Sequence, residues 1–168
     1  VTKPFHLGDF KALVTSVLRL MGPRYSSADA VALVVRTNVY ESNLYHLQQR
    51  GGGPARGFSQ TEISTALDLL GRYLARPSKA ELRATISSIL GYDPVELAGN
   101  ADMLDLQLRG NLILGIICCR LKYGTIPSPL PAKNERIAQG EYYKRFYNTS
   151  GGKGDAMEFA KMAGELGI

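Results

Sequence analysis

An all-α or strongly α-dominated domain is the fold class this sequence predicts, on three observations. Apolar residues recur at helical spacing in segment after segment, and no stretch alternates apolar and polar residues with β-branched enrichment over five or more positions. Glycine and proline clusters punctuate the helical segments at intervals that suit helix-to-helix turns. The 168 residues, 45% hydrophobic and 21% charged, suit one globular domain, 1–168, with enough apolar side chains for a buried core.

Taken in order, "DFKALVTSVLRLMG" places Phe10, Leu13, Val14, Val17, Leu18 and Met21 on one stripe, with Asp9 as its N-cap and Gly22-Pro23 as its stop. A second helix is expected from Ser26-Ser27, with Asp29 in its first turn, through "ADAVALVVRTNVYES" to Glu41. A glycine-rich loop follows, "GGGPARGFSQ". Then "TEISTALDLLGRYLA" reads as helix up to Pro77, and "SKAELRATISSILG" carries Ser78 with Glu81 three residues on, the pattern of a capping box. "NADMLDLQLRGNLILGIICCRLKYG" reads as one long central helix, ended by the three prolines of "TIPSPLPAKN". "GEYYKRFYN" and "DAMEFAKMAGEL" supply two short closing helices.

Several functions are set aside by composition. The longest apolar run, "LILGIICC", has eight residues, far short of the roughly 20 a membrane span needs. The first residues, "VTKPFHLGDF", show no charged segment followed by an apolar one, so no signal peptide is expected. Cys118 and Cys119 are adjacent within an apolar run, which suits buried, inert thiols. His6 and His46 are too few and too far apart for a histidine metal site or a His-based triad; no metal and no cofactor is expected. "GGKGD" lacks the GxxxxGK[ST] spacing of a phosphate loop and has no strand before it.

Charge is uneven. Seven Lys/Arg against two Glu fall between Arg120 and Lys153, a segment that matches the whole chain's net +5. A basic face suits an anionic partner, whether nucleic acid, an envelope polymer or a membrane surface, and equally suits a solvated surface. No recognition-helix or aromatic-platform signature favours nucleic acid.

What remains is carboxylate chemistry. Glu41 ends a helix whose preceding turns, "VALVV", are apolar, so its carboxyl is expected to emerge from the core at the lip of a cleft, where partial burial raises its pKa and suits it to donate a proton. The residues around it resemble the lysozyme-like superfamily and, within it, the lytic transglycosylase branch. The resemblance is carried by Glu41-Ser42, by "ARGFSQ" at Ala55 to Gln60, by "STA" at Ser64 to Ala66, by "GNLILGIICCRLKY" and by the Tyr-Asn loop "FYNTSGGKG", in that order along the chain. It departs from the family at Ser59, where a bulky apolar residue is usual, at Glu62, and at "YNT".

The resemblance implies a lysozyme-like helical domain with a glycan-binding cleft that cuts the MurNAc–GlcNAc β-1,4 bond of peptidoglycan, with Glu41 as acid and then base. It implies substrate contacts from Ser42, Gly57, Phe58, Gln60, Tyr147 and Asn148. Glycines at 51–53 and 57 would let the backbone approach a sugar, and Gln60 would hold an N-acetyl group or Glu41. Two readings stay open for Phe58, a packing plug or a contact, and two for Tyr147 and Asn148, a helix cap or cleft lining. Glu62 and Asp68 are the candidates for the second carboxylate that a hydrolytic lysozyme needs. "GGGPARGF", "YNT" and "GKG" together also resemble small bacteriophage proteins. They imply a virion enzyme or a lysis enzyme held in the host cytoplasm, with other virion proteins as partners. The competing class is a virion structural or interaction protein on the same fold with a relic active site.

Overall fold

The computed structural model describes residues 5–148 and 151–168. Val1–Pro4 and two residues of the Tyr-Asn loop, Thr149 and Ser150, lie outside the described residues. The fold is helix-dominated. Helix α1 (Leu7–Met21) buries the stripe Phe10, Val14, Val17, Leu18 and Met21. It starts at Leu7, before Asp9; Asp9 therefore sits in the first turn, where a carboxylate suits the helix dipole, and His6 occupies the cap position.

Helix α2 (Ala28–Ser42) begins where its sequence predicts, with the Ser27 hydroxyl accepting from the Ala30 amide at 3.1 Å. It is buried almost all round because α1 and later helices cover it on several sides. It stops at Asn43 and Leu44, two consecutive left-handed residues with φ of 54° and 53°. That conformation is costly for leucine, and the burial of the Leu44 side chain offsets it.

The glycine loop forms a small hairpin. Strand β1 (Ala55–Arg56) pairs antiparallel with β2 (Thr61–Glu62), Ala55 opposite Glu62, and Gln48 bridges to Arg56. Gly57 (φ 70°) and Gln60 (φ 47°) make the tight turn between them. The expected helix after the loop is α only over α3 (Ile63–Ala66) and continues as π-helix over Leu67–Tyr73.

A 3-10 turn at Pro77–Lys79 precedes α4 (Ala80–Leu90), so Ser78 is not its cap: Pro77 sets the turn and no side chain caps α4. The short α5 (Pro94–Ala98), which the sequence reading passes over, is capped by Asp93. The long central helix is in fact two, α6 (Ala101–Gly110) and α7 (Leu112–Gly124). Asn111 leaves helical geometry between them and its side chain accepts from the Leu114 amide at 3.1 Å, capping α7.

Helix α7 runs through the core, with Leu114 to Leu121 buried without interruption. Cys118 and Cys119 are free and buried there, and burial pushes both thiols up to about 12. Helix α8 (Arg136–Tyr143) continues as a π-helical turn, Lys144–Asn148, and packs against α9 (Ala156–Glu165), which Asp155 caps. Among the described residues no helix is long and apolar enough to cross a membrane.

Candidate active site

A cleft of about 720 Å³ opens where the end of α2, the hairpin, α7 and the α8 π-turn meet. Glu41, in the last turn of α2, lines it, and so do Gln60, Glu62, Tyr147 and Asn148. The apolar run of α2 delivers Glu41 to this position, and the left-handed turn at Asn43 holds the helix end there, its backbone N–H donating to the Val39 carbonyl at 2.7 Å.

Three tyrosines, Tyr40, Tyr143 and Tyr147, line the cleft with the Glu41 carboxyl. The Tyr143 hydroxyl donates to its Oε1 at 2.7 Å. Tyr143 is itself fixed by stacking on Phe159, 4.6 Å between centroids, and by the edge of Tyr40 at 5.3 Å. Burial pushes the Glu41 pKa above the usual carboxylate range, while the Tyr143 hydrogen bond and the nearby Lys122 charge pull it back. No cation of the described residues lies within the 4.0 Å of an ion pair with Glu41. The arrangement can hold a proton on a carboxyl that faces open solvent space, which is the requirement for a general acid.

The other residues that the sequence singles out divide into two sets. Gln60 sits at the cleft with its side-chain nitrogen donating to the Gly57 carbonyl at 2.8 Å. Tyr147 is 5% exposed, its hydroxyl donating to the Ser59 carbonyl at 2.7 Å, so it both packs the core and walls the cleft. The Asn148 side-chain oxygen Oδ1 accepts from Lys144 Nζ at 3.0 Å and from the Gly154 amide at 3.1 Å, fastening the glycine segment 151–154 over one side. Glu62, on β2, is exposed and lines the cleft from the hairpin.

Ser42, Gly57 and Phe58 are not brought to the cleft. The Ser42 side chain is buried, donating to the Asn38 carbonyl and accepting from the Leu44 amide, because its place on α2 faces the core. Gly57 meets the protein and no open space: a Cβ there would stand 2.5 Å from the Leu108 carbonyl oxygen. Phe58 is the packing plug, edge-on to Phe5 and Phe10. Asp68 is also elsewhere, paired with Arg72 at 2.6 Å on an exposed helix face.

The two cleft side chains that act on Glu41, Tyr143 and Lys122, escape the sequence reading. Tyr143 has a local signal, the tyrosine-rich "GEYYKRFYN" with Tyr143 and Tyr147 four apart, and the π-turn after it keeps Tyr143, Tyr147 and Asn148 on the same side. Lys122 sits with Arg120 at the end of the long apolar run of α7. Among the described residues no group of three or more His, Cys, Asp or Glu is placed to hold a metal ion. Searches of family models, curated proteins and solved structures find no match to this chain.

Proposed function

We propose that this chain cleaves the glycan strands of peptidoglycan as a lytic transglycosylase, with Glu41 as the single acid and base. The observation that carries the proposal is Glu41 itself: a carboxyl with a burial-raised pKa, hydrogen-bonded by one neutral hydroxyl, on an open cleft of saccharide-scale volume. Protonated Glu41 gives its proton to the glycosidic oxygen as the bond from C1 of MurNAc breaks and positive charge develops on the ring. The carboxylate then takes the proton of the C6 hydroxyl as that oxygen bonds to C1. The product is a 1,6-anhydro sugar, no water is consumed, and Glu41 ends protonated as it began. Tyr143, donating to Oε1, fixes the carboxyl's orientation through both steps.

A hydrolytic lysozyme is the second reading, and the presence of Glu62 on the same cleft favours it. The resemblance to small phage proteins extends the proposal to an enzyme carried in, or made alongside, a virion; proteomics of purified particles from the source phage tests that. The primary test is turnover on purified cell walls by the wild type and Glu41→Gln. Loss of activity by about 10²- to 10⁴-fold, with the helical signal unchanged, is the expected result. A Glu41→Gln protein within a factor of about two of wild type overturns Glu41 as the acid. An inactive wild type favours the interaction-protein class.

A further inference from the structure

Lys122 is an expensive residue that the mechanism above does not use. It interrupts a buried helix segment, between Leu121 and Tyr123, and its ammonium is half-buried at the cleft wall. Burying an ammonium costs stability, and the carboxylates that act on it, Glu41 and Glu62, stand beyond ion-pair distance, so its retention needs a physical return. Its partners within the chain are neutral: Nζ donates to the Tyr147 carbonyl at 2.6 Å and sits over the Tyr147 ring at 4.1 Å. Among the described residues no carboxylate oxygen lies within 4.0 Å of it. Arg120, two residues earlier, is different: its guanidinium is spent on the Tyr25 and Arg24 carbonyls and the Tyr25 ring, away from the cleft.

We propose that Lys122 is a carboxylate subsite, so that the cleft selects glycan strands bearing a negative charge close to the bond cut at Glu41. This inference rests on the glycan reading and names the substrate class within it. An ammonium has three donors; the Tyr147 carbonyl takes one here, and the tethered head faces the space in which Glu41 and Glu62 also lie. The groups facing it are Glu41 on α2, Glu62 on β2, Cys119 on its own helix and Tyr147 beyond α8; burial lowers its pKa while Cys119 and the two glutamates work against that. A ligand carboxylate on Lys122 is compatible with Glu41 when Glu41 carries its proton, which is the state the acid step begins from. The shared chemistry has two sources on such a strand: the lactyl carboxylate of a muramyl residue freed of its peptide, and the carboxylates of an attached stem peptide.

The test is calorimetric titration of Glu41→Gln protein, which cannot turn substrate over, with three tetrasaccharides: muramyl strand without peptide, the same strand with stem peptides, and neutral chitotetraose. At least one carboxylate-bearing ligand is expected to bind about tenfold tighter than chitotetraose, equivalent to roughly 1.4 kcal/mol. That ratio should fall below about twofold in Glu41→Gln/Lys122→Met and survive in large part in Glu41→Gln/Lys122→Arg. Preference for the peptide-free strand assigns the lactyl group; preference for the peptide-bearing strand alone assigns the stem. If Lys122→Met does not fold, Lys122→Gln replaces it, and the preference in the Lys122 protein must also shrink as ionic strength rises. Binding of all three ligands within about twofold, or a preference that persists without Lys122, overturns the subsite and leaves the glycan reading standing. Absence of binding by all three removes both.

Discussion

Two glycine-rich segments border the cleft, and their glycines answer different needs. In the hairpin segment the need is the chain's own path: Gly51, Gly52 and Gly57 hold φ of 82°, 83° and 70°, and Gly57 also lies against the Leu108 carbonyl. At Gly152 and Gly154, in the segment 151–154, the need is room for the side chains of the site. A Cβ on Gly154 would stand 2.6 Å from the Tyr143 hydroxyl and 2.9 Å from Asn148, and one on Gly152 would fall on the Asn148 amide. The first wall is glycine-rich so that it can fold; the second is glycine-rich so that backbone can close on the partners of Glu41. A sequence shows both as runs of glycine, and only the neighbours distinguish them.

The largest effect that separates the two walls is expected at Gly57→Val. Left-handed backbone costs a β-branched residue roughly 1–3 kcal/mol, and the clash with Leu108 adds to it, for a total of about 2–4 kcal/mol. Urea unfolding should show a lower midpoint with an unchanged slope, while activity per folded molecule stays near wild type because Gly57 does not reach the cleft. Wild-type stability in this variant would erase the distinction.

Gly154→Ala should do the reverse. The added methyl meets the Tyr143 hydroxyl, whose ring is held between Phe159 and Tyr40 and cannot swing away freely. Either the segment lifts or the bond to Glu41 lengthens, and in both cases cell-wall turnover should drop about tenfold, on the sensitivity of positioned groups to small displacements. The thermal midpoint should move little, since the segment is at the surface. Full activity in the variant would show that this wall tolerates the methyl and that its glycines are not there for the site.

The same contrast explains what was legible beforehand. The helical class, the start of α2 near Ser26-Ser27 and the exit of Glu41 from an apolar helix follow from spacing within a few residues, which a sequence displays. The break at Asn111 does not: its Nδ2 donates to the Tyr92 hydroxyl at 3.2 Å and to Gln107 at 3.0 Å, and the Tyr92 contact comes from a distant turn. Tyr143 reaches Glu41 across 102 positions, so the pairing has no local trace. Gly57 was legible as a strained turn, but what fills the space beside it was not, because the Leu108 carbonyl arrives from α6.

A third, smaller effect contrasts the helix floor of the cleft with its hairpin wall through stability. The folded-state pKa of Glu41 is raised above its unfolded value, so the folded chain binds that proton more tightly. Its contribution to stability therefore falls as pH rises from the unfolded pKa, about 4.3, through the folded one, and is constant above it. Glu41→Gln lacks this loss and keeps a hydrogen-bond acceptor for Tyr143. It should match wild type below about pH 4 and be the more stable of the two at neutral pH. A difference independent of pH across that range, read by thermal unfolding, would contradict a buried, proton-holding Glu41.

The smallest effect is expected at Glu62→Gln, and it decides between the two chemistries. Glu41 is desolvated and tied to Tyr143, whereas Glu62 is exposed on β2, where water screens its charge. A carboxylate acting as nucleophile or base in hydrolysis must meet either C1 or a water held against it, so its removal would cost as much as removal of the acid. A carboxylate that only borders the cleft adds a screened field, and its loss should change turnover by less than about threefold. Mass spectrometry of digested peptidoglycan reads the same question independently. Single-carboxylate chemistry releases muropeptides ending in 1,6-anhydro sugar, each lighter by one water than a hydrolytic product. Free reducing ends, with Glu62→Gln as damaging as Glu41→Gln, would make the hairpin wall catalytic and replace the transglycosylase reading with a two-carboxylate lysozyme.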